Sequence, residues 1–197
     1  MHRAEIWQLL LYGWTLSEFL LVVATRTRRK SGAAIQDHGS IRVLWGTIFC
    51  SVFLATWGGI TAGFHPDSVF GRALRLGHAP RILAIPVMVL GLAVRWTAIW
   101  QLGRAFSVNV AIRQEQKLQT GGLYRFARHP SYTGMLIIFT AVGLAAGNWL
   151  SLAIVTVFPT AALLYRIHIE EMALRGAFGE QYVAYSKRVK RLVPGVY

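Results

Sequence analysis

The chain has 197 residues, 54% apolar and only 15% charged, with a positive mean hydropathy of +0.44. An ordinary soluble domain carries about 25% charged residues, which this composition does not match, and a disordered chain is poor in aromatics and rich in charge, which seven Trp in a 12% aromatic chain exclude. A net charge of +13 on so apolar a chain points to an integral membrane protein facing anionic lipid, with no nucleic-acid partner expected, and one cysteine, Cys50, leaves no internal disulfide framework.

Five apolar segments follow in chain order, at residues 6–25, 41–64, 82–102, 131–146 and 149–169. A bilayer core needs about 20 apolar residues as helix. The first is read as a retained span, because its basic cluster (Arg26, Arg28, Arg29, Lys30) follows the apolar run instead of preceding it. Glu18 lies in the first span and Arg95 in the third; such groups face protein or water, or snorkel to a helix end. The fourth segment is short, but the turn dipeptide Gly147-Asn148 joins it to the fifth as a helical hairpin. The pairs Gly59–Gly63 and Gly143–Gly147 suggest close helix packing. The expected fold class is all-α: a single domain over residues 1–197 with about five transmembrane helices. With the N-terminus outside and the C-terminus in the cytoplasm, the basic residues fall mostly inside, which favours that orientation; Arg72, Arg75 and Arg81 in one outer loop run against it.

The polar residues bunch at residues 102–132 and from 166 to the C-terminus, at one membrane face in this topology. In the first stretch, Gly121-Gly122 signals a turn. Arg128-His129 then precedes Pro130, which suits the first turn of a helix. That helix start offers N–H groups to an anion, while the same basic loop is also suited to lipid phosphates. In the second stretch, Arg166 and Glu170 share a helix face, either as an ion pair or as a cation and a carboxylate for a ligand. Residues 178–191 read as a short amphipathic helix with a basic end. His129 and His168 without cysteines or an HExxH helix give no metal site. The sequence has no phosphate-binding loop of the Walker type, no dinucleotide fingerprint and no serine-hydrolase elbow.

Four ordered motifs stand in the C-terminal half: Gly-Leu-Tyr-x(3)-Arg-His-Pro-x-Tyr-x-Gly at residues 122–134, Arg-x(3)-Glu-Glu at 166–171, Phe-Gly-x-x-Tyr-x-x-Tyr at 178–185, and Arg-Leu-x-Pro-Gly at 191–195. Together they resemble the isoprenylcysteine carboxyl methyltransferase family, and the wider group of membrane methyltransferases that includes phospholipid methyltransferases. The resemblance covers the chain from Leu102 onward. It implies a helical membrane enzyme that uses S-adenosylmethionine without a Rossmann domain. By position it assigns the cofactor to Gln116, Lys117, Leu118 and Gln119, to Tyr124, to His129, Pro130, Ser131 and Tyr132, and to Glu170. It assigns the substrate carboxylate to Arg166, the expected catalytic and substrate-binding residue. Gln116 stands where the family often has His, and Phe106 where it often has Trp.

Such a reaction needs little acid–base help. Methyl transfer from a sulfonium is an in-line displacement, and a carboxylate nucleophile is already ionised at neutral pH. Alignment alone supplies ~7–11 kcal/mol. A lipophilic acceptor is expected to enter from the bilayer and the cofactor from the cytosol. Three rival readings stay open from sequence: a phospholipid amine N-methyltransferase, in which His168 or Glu171 would take the proton; a nicotinamide-dependent reductase relative; and a non-enzymatic membrane scaffold or small-ligand carrier.

Overall fold

The structure is a computed structural model that describes residues 3–27, 34–35, 39–64, 75–106, 111–112 and 117–197. Gln116, Arg72, Arg113, the basic residues 28–30 and the packing of Gly59 and Gly63 lie outside the described residues. Among the described residues, six α-helices follow in chain order: α1 (Arg3–Thr27), α2 (Ser40–Phe64), α3 (His78–Leu102), α4 (Pro130–Ala146), α5 (Trp149–Phe178) and α6 (Glu180–Arg188). Short 3-10 turns at Gly103–Ala105 and Gly122–Arg125 lead out of α3 and into α4. Apart from these, a two-residue antiparallel pairing joins β1 (Ala34–Ile35) to β2 (Ala111–Ile112). The helical class is therefore as expected, since in lipid each helix satisfies its own backbone polar groups.

Among the described residues, three helices are long and apolar enough to cross a membrane: Glu5–Ala24 in α1, Pro80–Leu102 in α3 and Trp149–Phe178, the whole of α5. The other two expected spans are apolar helices whose described stretches are shorter, Ser40–Ala55 and Pro130–Ala146. Large apolar side chains crowd the outer surface, among them Phe19, Phe49, Phe53, Trp100, Val157 and Phe158. A soluble monomer would not leave such a belt in water; here it is the lipid-facing surface of an integral membrane protein. One boundary differs from expectation. The fifth helix continues past residue 169 to Phe178 and carries the Arg-x(3)-Glu-Glu motif on its extension.

The helices assemble around α4. It packs most extensively against α3 and also against α5, and α5 in turn lies along α2. The α3–α4 contact is close because Gly134 presents no side chain: a Cβ there would sit 2.6 Å from the Arg95 backbone nitrogen. The α4–α5 hairpin turns as its dipeptide predicts. Gly147 takes the left-handed conformation (φ 72°) at the end of α4, and Asn148 caps α5 by accepting from Ser151 N at 2.7 Å. Gly143 also serves close packing, lying hard against Leu152. One core cluster joins Leu44 and Ile48 of α2, Met135 and Phe139 of α4, and Ala162 and Leu163 of α5. A second joins Met88 to Ile138 and Ala141, with Trp7, Leu10 and Trp14 of α1 against it.

Candidate active site

The site forms where α4 begins beside the extended end of α5. His129 ends the loop, Pro130 opens α4 as its first residue, and Tyr132 follows in the first turn. Tyr132 and His129 stack at 5.7 Å between ring centres. From α5, Arg166 Nε donates to Tyr132 Oη at 2.9 Å, and Tyr132 Oη donates to Glu170 Oε2 at 2.8 Å. Arg166 and Glu170, one turn apart, thus reach the same hydroxyl. Arg166 is 3% exposed and its Nη1 donates to Ser40 Oγ of α2 at 2.9 Å. The Glu170 side chain is 31% exposed, so its carboxylate is open to a ligand. His129 Nδ1 lies 3.6 Å from Glu170 and its Nε2 3.4 Å from Glu171.

Glu171 faces away from that opening and holds the site's frame together. It accepts from Arg128 Nε and Nη2 at 2.9 and 2.6 Å, and from Arg191 Nε and Nη2 at 3.1 and 3.0 Å. The Arg128-His129 backbone also bonds in register to the C-terminal segment, through Arg128 N to Lys190 O and His129 N to Arg191 O at 2.8 and 2.9 Å. Thr133 Oγ1 adds a bond to Leu192 O at 2.8 Å. The expected amphipathic helix is α6, whose Tyr182 and Tyr185 are buried. Tyr185 donates to the Tyr124 carbonyl, and Tyr124 Oη donates to Ala98 O of α3 at 3.3 Å. Burial, then the nearby Glu170 charge, push the Tyr124 phenol well above its ordinary value. The hydrogen bond to Glu171 raises Arg191 further.

Of the sequence-assigned residues, His129, Tyr132, Arg166 and Glu170 come together directly, with Pro130 setting the turn. Ser131 points elsewhere, its Oγ accepting from Arg95 Nη1 at 2.8 Å. Lys117, Leu118 and Gln119 form a coil leading into the Gly121-Gly122 turn. Among the described residues, no side-chain hydrogen bond joins them to the cluster. His168 is exposed, two residues along α5 from the buried Arg166. Sequence reasoning missed the framing role of Arg128, Glu171 and Arg191, and the contact of Ser40 with Arg166. It also left Arg95 open between snorkelling and a bundle role. The structure buries Arg95 at 5% exposure and pairs it with Glu18, in part through Nη2 to Oε2 at 2.6 Å.

Beside the cluster lies a small cavity that opens to the outside at its mouth. Arg166, Tyr132, Arg95 and Glu18 form its polar wall, and Ile41, Leu44, Trp45, Ile48, Phe106 and Met135 its apolar one. A buried guanidinium at the edge of an apolar cavity suits a molecule with an anionic head and a greasy body.

Residues 83–176 match the model of the Isoprenylcysteine carboxyl methyltransferase (ICMT) family. The chain is 39% identical over 166 residues to protein-S-isoprenylcysteine O-methyltransferase B of Arabidopsis thaliana, a match covering 83% of this chain and 84% of that one. The chain belongs to the isoprenylcysteine carboxyl methyltransferase family. It is also 33% identical over 113 residues to the protein-S-isoprenylcysteine O-methyltransferase of Schizosaccharomyces pombe, covering 56% of this chain and 48% of that one. Among solved structures it resembles the eukaryotic intramembrane Ras methyltransferase ICMT, with a TM-score of 0.62 and 28% identity over 74% of this chain. The match spans 52% of that protein, so the chain corresponds to about half of its length. The family is one of methyltransferases, and the Arg-His-Pro turn and the Arg-x(3)-Glu-Glu helix both fall inside the matched segment.

Proposed function

We propose that this protein transfers a methyl group from S-adenosylmethionine to the carboxylate of a lipophilic, isoprenylcysteine-like acceptor. The observation that carries the reading is the linkage Arg166–Tyr132–Glu170, which sets a buried cation at an apolar cavity one helical turn from an accessible carboxylate. The residues present suit the cofactor. Glu170 offers acceptor oxygens to amino or hydroxyl groups, and the His129–Tyr132 ring pair offers an aromatic face to a sulfonium or a base. With Gln116, Lys117, Leu118, Gln119, Tyr124, Pro130 and Ser131, they make up the proposed cofactor-binding segment. When bound, the sulfonium supplies the activated methyl.

The chain's own part is positioning. Arg166 grips the acceptor carboxylate and leaves one oxygen to attack in line. The apolar wall from Ile41 to Met135 keeps water out and receives the greasy body. An ionised carboxylate gives up no proton, so no general base is required. The surroundings of the two sequence-derived base candidates favour this over an amine acceptor: His168 is exposed, and Glu171 is engaged by Arg128 and Arg191. We further propose a single five-span domain, N-terminus outside, with the site at the cytoplasmic face, as the basic residues suggest.

The test is calorimetric binding of S-adenosylmethionine and S-adenosylhomocysteine to detergent-purified protein beside Glu170→Ala. Micromolar binding that weakens in the variant supports the reading. No binding by folded wild-type protein rejects it and returns the reductase and scaffold readings.

A further inference from the structure

The 3-10 turn Gly122–Arg125 stands between the coil at Lys117, Leu118 and Gln119 and the loop that ends in His129. These flanks are the two parts of the proposed cofactor-binding segment, so the turn sets where one lies relative to the other. A short helix leaves its first N–H groups without internal acceptors, and a side chain at the N-cap position usually supplies one. Here that position is Gly121, which has no side chain and makes no such bond. The acceptor comes instead from the last turn of α3: Gln101 Oε1 accepts from Leu123 N at 2.8 Å, across 22 residues of sequence.

The fit between the two is tight. Gly122 is left-handed (φ 60°), and a Cβ there would lie 2.5 Å from the Gln101 carboxamide. Glycine is thus required both by the backbone and by the amide pressed against it. One turn earlier on α3, the Ala98 carbonyl accepts from Tyr124 Oη. The coil itself is tied to the His129, Tyr132 and Glu170 cluster by no side-chain hydrogen bond among the described residues, so the turn is what places it. We infer that Gln101 is a positioning residue for the cofactor: by capping the Gly122–Arg125 turn from α3, it fixes residues 117–119 relative to His129 and Tyr132. This rests on the reading of those residues as the S-adenosylmethionine site. Gln101 is half-buried at the end of its helix, so losing its carboxamide frees the turn and leaves the core clusters intact. Without it the Leu123 N–H has no acceptor.

The experiment measures S-adenosylhomocysteine binding by calorimetry, and KM for S-adenosylmethionine and for an S-prenylated cysteine, in wild type, Gln101→Leu and Gln101→Glu. Gln101→Leu removes the acceptor oxygen and is expected to weaken S-adenosylhomocysteine by about tenfold or more. KM for S-adenosylmethionine should rise with it, while KM for the prenylated cysteine stays unchanged. Gln101→Glu keeps an oxygen for Leu123 N and should restore cofactor binding. A merely structural role would lower Tm and leave the dissociation constant of the folded protein where it was. That result, or an equal rise in both KM values, overturns the inference. A Gln101→Glu protein as impaired as Gln101→Leu also overturns it, because the carboxamide nitrogen would then touch the cofactor directly. Should Gln101→Leu fail to fold, hydrogen exchange on wild type decides: S-adenosylhomocysteine should slow exchange over residues 117–125, and no slowing there overturns the inference. No binding of S-adenosylhomocysteine by folded wild type instead rejects the cofactor reading itself, and this inference with it.

Discussion

Tyr132 Oη lies 2.9 Å from Arg166 Nε and so ties the start of α4 to the buried cation of α5. The same hydroxyl donates to Glu170. One phenol therefore fixes both the group proposed to hold the acceptor and the group proposed to hold the cofactor.

Tyr132→Phe keeps the ring stacked on His129 and removes both hydrogen bonds. Each bond to a charged group is worth ~1.5–3 kcal/mol. We expect Tm to fall and, in the protein that stays folded, kcat/KM to fall by roughly 10- to 100-fold. Methyl-transfer kinetics beside a thermal melt in detergent check this. A fall in Tm with kinetics unchanged in the surviving folded fraction would assign Tyr132 to packing alone.

Glu171 is a stability residue by its surroundings. Its side chain is 4% exposed and faces Arg128, Arg191 and His129. Glu171→Ala leaves the buried Arg128 without its carboxylate, a loss of ~3–5 kcal/mol for a broken buried pair. Arg191→Ala removes a side chain that is 32% exposed and should cost under ~1 kcal/mol. Thermal melts of both variants test the order; a more damaging Arg191→Ala would contradict it.

Gly134 and Gly176 predict opposite outcomes for the same change. A Cβ at Gly134 meets Arg95 backbone and Cβ at 2.6–2.8 Å, where nothing flexible can give way, whereas one at Gly176 meets nothing within 4 Å. Gly134→Ala should therefore destabilise by ~1–3 kcal/mol. Gly176→Ala, on an exposed turn of α5, should be neutral or stabilising by up to ~1 kcal/mol. Paired denaturation curves measure both.

Alkaline pH should loosen the docking of α6. Burial pushes the Tyr185 phenol up to about 12, against the pull of Arg128, from an ordinary value of 10.0. Burial raises Tyr182 as well. A phenol with a higher pKa in the fold than in the unfolded chain contributes stability fully below the ordinary value. That contribution is lost as pH rises toward the folded one. Tm should fall between about pH 10 and 12, and less steeply in Tyr185→Phe. An equal fall in the variant would place the sensitive group elsewhere.

Local features were legible in the sequence and distant pairings were not. The Gly147-Asn148 turn and Pro130 at the head of α4 follow from the backbone preferences of those residues, and the structure shows both. Apolar runs located the helices but not every end: the fifth runs on to Phe178, and on that extension Glu170 and Glu171 find partners on α4, in the loop before it and on the C-terminal segment. The Arg166–Glu170 spacing gave a shared face, but Tyr132 between them comes from another helix. Glu18 and Arg95 stand 77 residues apart. Each was visible as an ionisable group in an apolar run, and only the packing of α1 on α3 shows that they pair.

The most direct test of the central claim is methyl transfer itself. Purified protein in lipid would receive S-adenosylmethionine with a labelled methyl and an S-prenylated cysteine whose amine is blocked, beside Arg166→Ala. We expect a base-labile product that releases labelled methanol, as a methyl ester must, and at least a ~100-fold loss in kcat/KM in the variant, as for a buried charge-paired contact. No transfer by folded wild-type protein, or a label that survives base, would contradict carboxyl methylation.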